Sequence, residues 1–140
     1  MSASTTTIPT ATPNAGDARA NPVEAWLRAE GLAVLAAGIA LYGWLGGWGL
    51  LLLPLLFVPD ASMVGYLRGP RVGATMYNLV HNWALGLGVL GLGLATGFTA
   101  IALAGAILIA HTGMDRTMGY GLKLPTSFRD THLGRIGRAR

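Results

Sequence analysis

Four apolar stretches joined by short turns, with every lysine and arginine gathered at alternate ends of them, constrain this chain more than any other feature. The stretches run from about Val23 to Trp44, Trp48 to Leu67, Gly73 to Leu94 and Phe98 to Met118. Each approaches the ~20 residues that a helix needs to cross a bilayer core. Charged residues make up 11% of the chain, against about 25% in a soluble domain, so there is too little charge to cover a surface facing water. The pattern predicts an all-α fold, a four-helix transmembrane bundle. At 140 residues it is one domain. Its organisation reads as a disordered tail rich in Ser, Thr, Ala and Pro over 1–22, a four-span domain over 23–124 and a basic tail over 125–140. The leading tail lacks the basic start and apolar core of a signal peptide.

Topology follows from the cations. Arg19 and Arg28 lie at the start of the first span, and Arg68 and Arg71 lie in the turn after the second. Arg116, Lys123, Arg129, Arg135, Arg138 and Arg140 close the fourth span or follow it, while the loops near Gly46 and Thr96 carry no charge. The positive-inside rule then predicts both termini cytoplasmic, in a multi-pass protein of the inner membrane. A net charge of +4 raises the question of nucleic acid, but the basic residues lack aromatic interleaving, so no nucleic acid is expected. The expected partners are membrane lipids, with further copies in a homo-oligomer as an open alternative. The absence of cysteine excludes disulfides, thiolate metal sites and cysteine nucleophiles.

Within the spans, Glu24 and Arg28 stand four apart and are expected to pair, and Glu30 reads as an interfacial acid. Trp44 and Trp48 flank a Gly46–Gly47 turn as an aromatic belt. The clean apolar run of the second span ends at Val58, and Pro54 and Pro59 each remove a backbone donor there, which predicts a kink or break. Carbonyls freed at membrane depth persist only inside protein or beside a watery cavity. In the third span, Gly93 and Gly97 form a GxxxG pair that predicts close packing, as do Ala102, Ala106 and Ala110 along the fourth.

Most of the polar chemistry falls in one stretch, His111–Gly134, and in Asp60 and His81. At 1.5 Å per residue, Asp60 stands roughly 12 Å above Arg68, His81 roughly 15 Å above Arg71 and His111 roughly 8 Å above Arg116. Three polar side chains from three spans therefore share one layer of the inner leaflet. Asp115 shares the face of His111 one turn nearer the cytoplasm. Ionisable groups inside a membrane are costly and usually pair or line a functional cavity. Imidazole with carboxylate suits a divalent metal such as zinc, so Asp60, His81 and His111 are the candidate ligands. Asp115 and His132 are the candidate catalytic acid/base residues. Arg116 and Lys123 are the candidate contacts for a lipid or another anion. The alternative is a hydrogen-bonded network that only locks helices together or binds a partner, lipid or ion.

The run PDxSMxGY at Pro59–Tyr66, PRVGA at Pro70–Ala74 and YNLxH at Tyr77–His81 precede HxGxDRxxGYGLK at His111–Lys123 and FxDTHLGRIGR at Phe128–Arg138. These five ordered motifs, spanning about Ala25–Arg138, resemble a bacterial family of small integral membrane proteins catalogued as domain of unknown function 4260. The resemblance implies a four-helix membrane protein. Val58-Pro59-Asp60, and His111 with Asp115, are also faintly similar to membrane-bound metal-dependent hydrolases, although the His-Arg pair common there is absent. That likeness implies metal ligation and hydrolysis of a lipid or other amphipathic substrate. In the GYGLK segment, Gly119 and Gly121 are expected to permit a left-handed turn that stops the fourth helix. Asp130, Thr131 and His132 either fold back over the polar layer or belong to a solvated tail.

Overall fold

A computed structural model describes residues 22–137; the leading tail, Arg138 and Arg140 lie outside the described residues. Among these, five α-helices follow in order: α1 Pro22–Trp44, α2 Gly49–Leu56, α3 Pro70–Val80, α4 Trp83–Thr96 and α5 Thr99–Met118. A 3-10 helix, Val58–Arg68, separates α2 from α3. A two-stranded antiparallel hairpin, β1 Asp130–Thr131 and β2 Gly134–Arg135, follows α5. By length and composition, α1 and the continuous Gly49–Arg68 segment are able to cross a membrane, and α3 with α4 makes a third span if the bent pair is counted as one. α5, whose last two turns carry His111, Asp115 and Arg116, is not among them.

α5 is the central element, packed against α1 on one side and α4 on the other. Small residues make this possible. A Cβ placed on Gly38 of α1 would sit 2.7 Å from the Ala110 nitrogen, and one on Gly93 of α4 would sit 2.2 Å from the Ala102 nitrogen. The backbones therefore touch where the alanine flank of α5 meets glycine, which is how helices gain van der Waals contact without a hydrophobic driving force. Gly97 does not join this packing. It takes φ +73° at the C-cap of α4 and has open space beside it, so the GxxxG pair splits into one packing glycine and one turn glycine. Large apolar side chains such as Trp26, Leu50, Leu53 and Leu67 stand exposed on the outside, a surface suited to acyl chains rather than water.

The second stretch breaks where its prolines predict. In an α-helix, the Leu56 carbonyl would take the Asp60 N–H. Here that N–H goes to Phe57 O at 3.2 Å, the chain tightens into the 3-10 helix, and Leu56 O is released. The 3-10 helix is longer than the usual three or four residues and leans on α3, where a Cβ on Gly73 would lie 2.2 Å from the Tyr66 ring.

The third stretch departs from the single span expected for it. It is two helices bent by 42° at His81–Asn82. Asn82 causes the break: Oδ1 accepts from Leu85 N–H at 2.9 Å to cap α4, while Nδ2 donates to Asn78 O at 2.9 Å and Leu79 O at 2.7 Å to close α3. A short amide that satisfies backbone groups on both sides of itself competes with helix continuation.

Candidate functional site

Both breaks serve one point. The Leu56 carbonyl, released by the α2 break, lies 2.6 Å from His111 Nδ1. His81, at the α3–α4 break, has Nδ1 2.8 Å from Tyr77 O. A carbonyl oxygen only accepts, so each Nδ1 carries its hydrogen and donates, and each neutral imidazole holds its lone pair on Nε2. The two Nε2 atoms lie 2.8 Å apart, and both rings are fully buried at 0% exposure. Two lone pairs do not face each other at that distance unless something positive lies between them, either a proton or a metal ion.

Carboxylates surround the pair. Asp60 Oδ1 is 3.4 Å from His81 Nε2 and 3.6 Å from His111 Nε2. Asp115, 5% exposed, has Oδ2 3.9 Å from His81 Nε2 and Oδ1 4.0 Å from His111 Nε2. The convergence expected of Asp60, His81 and His111 is present, since their ligating atoms all lie within 4.8 Å of one another. Ligand atoms around a tetrahedral zinc stand about 3.3–3.4 Å apart. The Asp60 spacings are close to that. The nitrogen pair would open by roughly half an ångström to match it.

Tyr77 is the residue that the sequence reading passed over. Its ring stacks on His81 at 3.6 Å between centroids, and its hydroxyl donates a short hydrogen bond to Asp115 Oδ2. Its position four residues before His81, on the same helical face, was the available signal. Tyr77→Phe should cost about 1–3 kcal/mol, because the buried carboxylate loses its donor. Thermal denaturation of the two proteins in detergent measures this, and equal melting would remove Tyr77 from the cluster.

Arg116 braces the break, with Nη1 donating to Tyr120 O at 2.6 Å and Nη2 to His81 O at 3.4 Å. Lys123 is 4% exposed; Nζ donates to Phe128 O at 2.9 Å and lies 4.2 Å from the Phe128 ring centroid. Burial pushes the Lys123 ammonium below the usual lysine range, against the attraction of Asp115 and Asp60. The loop carrying it is docked by Asn78, whose side chain donates to Lys123 O at 2.9 Å and accepts from Lys123 N–H at 2.7 Å. Gly119 takes the expected left-handed conformation, φ +83°, and ends α5.

The Asp130–His132 segment folds back. Leu124 N–H donates to Asp130 O at 2.8 Å, His132 N–H donates to Leu122 O at 3.0 Å, and Lys123 pairs with Thr131 across a bridge. His132 itself is outside the cluster. It is exposed, and its Nδ1 accepts from Leu122 N–H at 2.8 Å.

Fold and site together define a helical protein with apolar helices of membrane-crossing length and a buried His/Asp cluster. The chain belongs to the family described as Domain of unknown function (DUF4260), whose model matches residues 24–136. No curated protein and no solved structure matches it.

Proposed function

We propose that this chain is a four-span inner-membrane protein that binds a divalent metal such as zinc through Asp60, His81 and His111, with Asp115 beside it, and uses the ion to hydrolyse an amphipathic substrate. The observation that carries this reading is the pair of facing Nε2 lone pairs at 2.8 Å, each imidazole held by a backbone carbonyl and flanked by carboxylates. Such carbonyl bonds fix the tautomer and ring orientation that a metal ligand needs. A zinc ion with an open position lowers the pKa of its bound water to about 7. Asp60, His81 and His111 would hold the ion, which would supply an activated water. Asp115 would take that water's proton as its oxygen bonded to the acyl or phosphoryl centre, and would return the proton to the leaving oxygen as the bond to it broke. Asp115 suits this role because Tyr77 holds one of its oxygens and leaves the other turned toward His111.

Chelator-stripped protein should hydrolyse a p-nitrophenyl acyl ester in mixed micelles only after zinc or another divalent ion is restored. No gain with any of them would remove the hydrolytic role. A second reading rests on the same 2.8 Å, which is also hydrogen-bond length: the imidazoles share one proton, balanced by Asp60 and Asp115, and the cluster serves only to hold helices together.

The four spans are α1, Gly49–Arg68, the bent α3–α4 pair and α5, whose 20 residues give about 30 Å of helix. With all cations on one side, both termini face the cytoplasm. A fluorescent-protein fusion after Arg140 should therefore light up and an alkaline phosphatase fusion should stay inactive. The reverse would overturn the arrangement.

A further inference from the structure

A cavity of about 260 Å³ lies between the 3-10 helix, the end of α5 and the C-terminal hairpin, with Asp60, Asp115 and Lys123 in its wall. Lys123 is its unexplained member. The ammonium has three donors, and among the described residues Nζ has one hydrogen-bond acceptor, Phe128 O, and no ion-pair partner. A buried cation with donors to spare, facing a cavity, favours an anion there.

Charge counting points the same way. Without a metal, Lys123, Arg116 and the proton then shared by His81 and His111 exceed Asp60 and Asp115 by one positive charge. With a divalent ion the enclosed group carries two surplus positive charges, which a low-dielectric site relieves by taking anions. The mouth has another character, since Phe57, Met118 and Phe128 line it and stand about half exposed. The volume falls just below the ~300–1,000 Å³ of drug-sized pockets, so a headgroup fits inside and a chain must leave over that apolar rim.

We infer that the cavity binds the oxyanion head of a single-chain anionic amphiphile, the head on Lys123 Nζ and the chain across Phe57, Met118 and Phe128. The second surplus charge rests on the metal reading; the spare donors of Lys123 stand without it.

The test uses the full chain in zwitterionic lipid nanodiscs, with dodecyl phosphate, inorganic phosphate and dodecanol as probes and the concentration giving half-maximal thermal stabilisation as the readout. Dodecyl phosphate should act at a concentration at least about tenfold below that of inorganic phosphate, and dodecanol should not stabilise. Lys123→Gln should weaken dodecyl phosphate by about tenfold or more, and Lys123→Arg should restore most of it. Equal response of wild type and Lys123→Gln overturns the inference. So does inorganic phosphate matching dodecyl phosphate, which would make the site one for free phosphate, or dodecanol matching it. Should Lys123→Gln fail to fold, Met118→Glu at the exposed mouth carries the test: about tenfold weaker dodecyl phosphate supports the inference, and an unchanged response overturns it. Metal content is measured on the same samples. Lys123-dependent binding by protein that holds no metal and takes up none when zinc, manganese or iron is offered ends the metal reading alone; metal retained with Lys123-independent binding ends this inference alone.

Discussion

His111→Gln should leave the protein folded and strip it of bound metal. Glutamine can still donate to the Leu56 carbonyl that now takes His111 Nδ1–H, but it offers no imidazole lone pair opposite His81 Nε2. Changing a residue that merely orients a ligand costs about 10–100-fold in metal affinity, so removing a ligand should exceed that. His111→Leu separates the two readings further. If the cluster only packs helices, leucine strands both Leu56 O and His81 Nε2 in a fully buried place and should cost about 1–3 kcal/mol, while glutamine is mild. Elemental analysis and thermal denaturation of both variants read the outcome. Metal content unchanged in His111→Gln would take His111 out of the ligand set.

The second large effect is steric, and it lies in the bundle rather than the site. Gly93→Ala places a methyl 2.2 Å from the Ala102 backbone nitrogen, where only a shift of α4 against α5 can relieve the overlap. Overpacking of this kind costs about 1–3 kcal/mol, and the upper end is expected because both partners are backbone. Gly88→Ala, on the same helix with open space around it, makes the control, since removing a glycine from a helix interior there should be neutral or gain up to about 1 kcal/mol. Comparable melting of the two variants would mean that α4 and α5 do not meet at Gly93. The effect should reach the cluster as well, because His111 sits on α5 one turn beyond the apolar segment that α4 supports.

Much of this was legible in the sequence because the constraints were local and one-dimensional. The extent of α1 follows from an apolar run, free of charge from Gly31 onward, that starts beside Pro22 and ends at the Gly46–Gly47 turn, and the α2 break follows from Pro54 and Pro59. The convergence of Asp60, His81 and His111 was anticipated by counting helical rise inward from Arg68, Arg71 and Arg116, although the chain from Asp60 to Arg68 is a 3-10 helix with a longer rise per residue than the count assumed. The break at Asn82 was hidden because apolar residues flank His81 and Asn82 on both sides, Leu79 and Val80 before and Trp83 to Leu85 after, as they would within one interrupted span. What stops α3 is a side chain satisfying backbone on both sides, and hydropathy does not register that. The fold-back of 125–137 was left open for a related reason. Its strands are two residues long, and the Leu122–Leu124 segment they fold back onto is itself fixed by a contact distant in sequence, Asn78 with Lys123. The same distance hid Tyr77, whose partner Asp115 is 38 residues away. His132 has the chemistry of a site residue, but its ring is committed to the Leu122 N–H beside it.

The facing imidazoles bear the central claim, and one measurement addresses them directly. Wild-type protein purified without chelator and analysed for metals should carry about one divalent ion per chain, with two nitrogen ligands at about 2.0–2.1 Å in its X-ray absorption spectrum. Protein that carries no stoichiometric metal, and takes up none when zinc, manganese or iron is offered, would contradict the account and leave a proton between His81 and His111.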